Sequence, residues 1–140
     1  MILTPLLRRW CNLPSPKVKS PDMKAYDTLL ISSPASHVVQ IILNRPDFAN
    51  AFNTQMALDL VDIFESLSMD PSETRAVILT GSGTRAFCAG GDLKERNGMS
   101  NAAWSKQHLI YERMARAVIT CPIPVIGAIN GAAYGGGCEL

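Results

Sequence analysis

Two glycine-rich strings are the places where this chain is equipped for chemistry: AFCAGGDLK at residues 86–94 and GAAYGGGCEL at residues 131–140. Glycine has no side chain to shield its amide, so turns built from it expose backbone N–H groups. Two such turns at the ends of neighbouring strands aim two donors at one point. A pair of donors converging on one oxygen is an oxyanion hole, which steadies a carbonyl as negative charge develops on it, typically by a few kcal/mol per donor. A thiol and a carboxylate, Cys138 and Glu139, stand in the second string directly behind its glycines.

Elements able to position those turns can be read on either side of them. Tyr26 to Ser32 and His37 to Asn44 read as two strands joined by the turn SPAS, a hairpin ended by Arg45-Pro46. Asn53 is placed to cap a helix running to about Leu67, with Met56, Leu60, Ile63, Phe64 and Leu67 on one face. Arg75 to Thr80 reads as a strand apolar on both sides, as in a sheet covered on each face. GSGTR follows as a turn, and DLKER reads as a solvated turn at the mouth of a pocket. A second helix is predicted over Asn101 to Thr120, with Trp104, His108, Tyr111, Ala115 and Val118 as its apolar stripe. Pro124 to Asn130 is a further strand, and Gly137 to Leu140 opens one turn of helix. Strands alternating with helices make the class α/β. A helix that stops after one turn is unfinished, so the chain is expected to be truncated or to cover part of a gene.

Composition sets bounds on function. The chain has 140 residues, is 47% hydrophobic and carries a net charge of +1. That suits one domain with a real core and gives no overall basic field for nucleic acid. No apolar run is long enough to span a bilayer. Residues 1–20 hold Arg8, Arg9, Lys17 and Lys19 and no acid, whereas the rest has 9 basic against 12 acidic residues. The basic, proline-containing segment over 1–22 reads as a disordered or organelle-targeting tail, and 23–140 as the folded part. Cys11, Cys88, Cys121 and Cys138 form no C-x-x-C pair, so no metal site is expected.

AFCAGGDLKE followed by PVIGAINGAAYGGGCEL resembles the enoyl-CoA hydratase/isomerase superfamily, and LNRPDFANAFN resembles that family's LNRP-x-x-x-NA element. The likeness spans residues 26–140 in order. It implies the crotonase (ClpP-like) fold, a spiral of ββα units, here its N-terminal half. It also implies that Gly91 and Gly136 supply the two oxyanion N–H groups to the thioester oxygen of an acyl-CoA. Glu139 matches the first catalytic glutamate, which orients or deprotonates the water that adds across an α,β double bond. Ala89 falls where the family meets the adenine of coenzyme A, and Asp92, Leu93 and Lys94 line the same approach. Asp47-Phe48-Ala49 differs from the commoner lysine-containing version of that stretch.

The resemblance implies an enoyl-CoA hydratase-like lyase. Its alternatives are an isomerase, a methylglutaconyl-CoA hydratase-like activity suggested by DLKERNGMS, or an inactive truncated fragment. Coenzyme A enters as part of the substrate, so no separate cofactor is expected. A homotrimer or hexamer at full length and a cytoplasmic or mitochondrial location are implied, with neither nucleic acid nor membrane as partner. The second catalytic glutamate of the hydratases lies beyond Leu140.

Rival readings are weaker. RAVILT-GSGTRA has the glycine spacing of a dinucleotide fingerprint, but residues 87–91 interrupt the helix it requires and no acid stands about twenty residues on. Cys138 lacks the glycine two residues later that a nucleophile elbow needs. His108 reads as a core or interface histidine and Cys88 as packing.

Overall fold

The computed structural model describes residues 24–140; the tail expected over 1–22 lies outside them. β1 (Leu29–Ala35) and β2 (Val38–Leu43) form the antiparallel hairpin, with Leu29 opposite Leu43. β1 starts later than its apolar run and continues through Ser33 and Pro34, part of the predicted turn. Pro34 is tolerated because β1 is an edge strand, where a missing donor disturbs no ladder.

α1 (Thr54–Met69) begins where the sequence predicts, with Asn53 Oδ1 accepting from the Met56 amide at 3.0 Å. Its five predicted apolar positions, Met56, Leu60, Ile63, Phe64 and Leu67, are all buried. β3 (Ala76–Gly81) pairs parallel with β2, and β5 (Val125–Ala128) parallel with β3, giving the order β1-β2-β3-β5. Parallel neighbours need a crossover. α1 supplies the first and α3 (Asn101–Ile119) the second, and the two helices pack against each other.

Two expectations are corrected here. β3 buries Val77 and Leu79, while Ala76, Ile78 and Thr80 on its other face are only partly covered, so the sheet is not sealed on both sides in this chain. The buried face of α3 is Gln107, Tyr111, Met114, Ala117 and Val118; Trp104 and His108 stack on each other in the open instead. Gln107 takes the inner place because its amide is satisfied there. Its Nε2 donates to Thr54 Oγ1 and Glu95 Oε2, each at 2.8 Å, and its Oε1 accepts from Arg96 Nε at 3.1 Å.

A second, two-stranded sheet was invisible to periodicity. β4 (Ala86–Cys88) and β6 (Ala132–Ala133) pair in parallel. Both are too short to alternate visibly, and both run straight into a glycine turn. Because they are parallel neighbours, the turns leave side by side at their C-terminal ends. α2 (Leu93–Arg96) and α4 (Gly136–Glu139), one turn each, follow the respective turns. DLKER is therefore a capped helical turn and not an irregular one. Two asparagines latch the loop between β3 and β4. Asn50 Nδ2 donates to Ser82 O and Ala86 O at 2.9 Å, and Asn130 Nδ2 to Gly81 O and Gly83 O at 2.8 Å.

Candidate active site

Gly91 is held by its neighbours. Phe52 N donates to Gly90 O at 2.9 Å, and Asp92 N donates to Phe52 O at 3.0 Å, so residues 90–92 form a parallel bridge with Phe52. In such a bridge the N–H of the middle residue points away from its partner strand. The Gly91 amide has no protein acceptor among the described residues, and neither has Gly136 at the first position of α4.

The two turns meet closely. Gly90 has φ +85°, and a Cβ on it would stand 2.7 Å from Tyr134 O and 3.2 Å from Gly136 N. A side chain there is both strained and blocked. Covalent geometry then places Gly91 N within about 7 Å of Gly136 N. Both glycines and Glu139 line one cavity of about 320 Å³, together with Phe52, Arg96, His108, Tyr111 and Glu112. The two amides and the carboxylate thus share a chamber.

Gly91 also lines a second cavity, of about 300 Å³, with Ala89, Asp92, Leu93 and Lys94. The four positions expected to meet coenzyme A therefore lie together, with Gly91 common to both cavities. Their side chains do different things. Leu93 is 77% exposed at the rim. Lys94 Nζ lies 5.7 Å from the Phe48 ring centroid, and the Ala89 amide donates to Ala49 O at 3.1 Å.

Asp92 faces inward. Its carboxylate pairs with Arg45 Nη2 at 2.9 Å and accepts from the amides of Lys94 and Glu95 at 3.0 and 3.3 Å. Burial acts to raise its pKa, but the Arg45 guanidinium and the two amides outweigh that and hold it below its ordinary value. The side chain fixes the turn and caps α2. Arg45 also donates to Ala51 O at 2.6 Å inside its own LNRP-x-x-x-NA segment, and its pair with Asp92 ties that segment to the first glycine turn. Sequence reasoning passed over this arginine, although an arginine closing an apolar strand was the available signal.

Phe52 and Tyr111 close the chamber. Tyr111 is buried, and its hydroxyl donates to Phe52 O at 3.0 Å. Burial, with help from Glu95, pushes its pKa up to about 12, so it stays a protonated donor at neutral pH. Cys88 packs fully buried, as expected, and burial raises its thiol pKa. Cys138 Sγ instead donates to Ala133 O at 3.0 Å.

The family profile described as enoyl-CoA hydratase/isomerase matches residues 34–140. The chain is similar to a Delta(3,5)-Delta(2,4)-dienoyl-CoA isomerase of Rattus norvegicus, 34% identical over 82% of this chain and 38% of that protein. It is similar to a short-chain-enoyl-CoA hydratase of Clostridium acetobutylicum, 36% identical over 74% of this chain and 39% of that protein. A crystal structure of an enoyl-CoA hydratase from Bacillus anthracis superposes with a TM-score of 0.77 at 40% identity, over 81% of this chain and 43% of that one. The chain thus spans roughly two fifths of its relatives' length. No helix among the described residues is long and apolar enough to cross a membrane. With the two glycine turns side by side, the profile match over most of its length and this shared α/β architecture, the chain belongs to the enoyl-CoA hydratase/isomerase family and has the crotonase fold.

Proposed function

We propose that this chain carries the thioester-activating half of an enoyl-CoA hydratase. The Gly91 and Gly136 amides bind the thioester oxygen, and Glu139 handles the water that adds at the β-carbon. Addition of hydroxide to Cβ moves an electron pair through Cα toward the carbonyl, forming an enolate-like anion. A proton delivered to Cα completes the product. Water attacks only if that oxygen can accept negative charge, which is the task of the two amides. The nucleotide end of coenzyme A enters past Ala89, Asp92, Leu93 and Lys94. The observation that carries the reading is the single cavity lined by Gly91, Gly136 and Glu139.

The test is loss of crotonyl-CoA absorbance, followed for the 140-residue chain and for a full-length form. Glu139→Gln in the full-length form is expected to lower the hydration rate at least 100-fold, the scale of general acid–base catalysis. Acyl-CoA affinity stays nearly unchanged. Undiminished hydration removes Glu139 from the mechanism.

A second reading concerns the substrate. Arg96 Cζ lies 3.5 Å from where a Cβ on Gly91 would sit, and 5.2 Å from the Tyr111 ring centroid, in the same chamber. Its Nε is fixed by Gln107, and its guanidinium has no carboxylate within 4.0 Å among the described residues. A cation beside the thioester site favours an acyl chain that bears a carboxylate, as in a methylglutaconyl-CoA hydratase-like activity.

A further inference from the structure

The two amides of the proposed oxyanion hole come from different turns, so something must set their separation. The Phe52 ring is 5% exposed and abuts Gly136: its Cζ lies 2.7 Å from where a Cβ on that residue would stand. Tyr111 is 8% exposed and its ring faces Gly91 with room for a methyl group between them, its Cε2 3.6 Å from where a Cβ would stand. The two rings meet edge to face, with centroids 4.9 Å apart and planes at 86°. One aromatic pair therefore spans the distance from one glycine to the other. The backbone joins in, because Phe52 O accepts from both the Tyr111 hydroxyl and the Asp92 amide, at 3.0 Å each, while Phe52 N holds Gly90 O.

We propose that Phe52 and Tyr111 are positioning residues that gauge the oxyanion hole: a rigid strut fixing how far apart and in what orientation the Gly91 and Gly136 N–H groups stand. The inference rests on the oxyanion reading above. Neither side chain touches the reacting carbonyl through a polar atom. The Tyr111 hydroxyl is engaged by Phe52 O, and Phe52 has none to offer. Absence of a side chain at 136 is then a requirement of contact as well as of exposure. An alanine at 136 collides with the Phe52 ring, and the strut seats there only against bare backbone.

The test uses a thioester of coenzyme A with para-dimethylaminocinnamic acid, whose absorption moves to the red when its carbonyl is polarised. Phe52→Leu, Phe52→Ala and Tyr111→Phe are compared with the unaltered protein in full-length form, together with kcat and KM for crotonyl-CoA. The unaltered protein is expected to shift the band. Phe52→Ala loses most of the shift and about 100-fold in kcat, the cost of a donor displaced by around 1 Å, while KM changes little. Tyr111→Phe, which keeps the ring and removes only the hydroxyl, loses part of the shift and about 10-fold in kcat. Phe52→Leu falls between and serves where the alanine variant does not fold. A full red shift in both Phe52→Leu and Tyr111→Phe overturns the strut and leaves the oxyanion hole standing. Absence of any shift in the unaltered protein overturns the oxyanion reading, and the strut with it.

Discussion

Asp92→Ala removes three interactions at once: the 2.9 Å ion pair with Arg45 and the two amide bonds that cap α2. The pair is well covered, its side chains 14% and 8% exposed, so Arg45 is left with a buried charge and the single carbonyl of Ala51. Breaking a buried pair on one side costs about 3–5 kcal/mol, and losing a cap adds about 1 kcal/mol. Some water reaches Arg45 and the turn relaxes, so the lower end of about 3 kcal/mol is expected. Asp92→Asn keeps an oxygen for the cap and loses only the charge, with a cost of about 1–2 kcal/mol. Urea unfolding of both variants, with the slope checked for constancy, gives these differences directly. Acid supplies an independent arm. The folded-state pKa of Asp92 lies below the ordinary value of 3.8, so its stabilisation is present above that pH and is lost as pH falls through the folded value. The variants therefore lose less stability than the unaltered chain over that window. A cost under 1 kcal/mol for Asp92→Ala, or identical acid curves, refutes the view that this carboxylate fastens the first glycine turn to the Arg45 segment.

Other expectations follow from the same geometry. Gly90→Ala forces a side chain into φ +85° and against Tyr134 O, and it is expected to destabilise by at least about 2 kcal/mol in thermal unfolding and to weaken acyl-CoA binding; a silent substitution contradicts the close approach of the two turns. Arg96→Met is expected to lower kcat/KM for a carboxylate-bearing enoyl-CoA about 10- to 100-fold while leaving crotonyl-CoA within about 3-fold, as fits one charge-assisted contact. Equal effects on both substrates dismiss the carboxylate reading.

The parts of the fold set by long-range periodicity were legible. α1 announced itself through Asn53 and a full apolar stripe, and β2 and β3 through β-branched runs. α3 was placed correctly but rotated wrongly, because Gln107 is buried by hydrogen bonds that hydropathy does not register. β4 and β6, of three and two residues, are below the length at which alternation carries a signal, yet they bring the two turns together. Gly91, Gly136 and Glu139 were found through glycine chemistry and family likeness, and the fold gathers them around one cavity. Asp92 lines the second cavity with Ala89, Leu93 and Lys94, and its carboxylate also pairs with Arg45, a partner 47 positions earlier that no local pattern reveals. The Phe52–Tyr111 contact was hidden for the same reason, since 59 positions separate the two residues.

The most direct measurement is a crystal structure of the full-length protein with a non-reacting acyl-CoA analogue. If Gly91 and Gly136 form the oxyanion hole, the thioester oxygen lies about 2.7–3.1 Å from both amide nitrogens, with the Glu139 carboxylate on the Cβ side of the acyl chain. An oxygen held by one amide alone, or a thioester seated away from both, contradicts it.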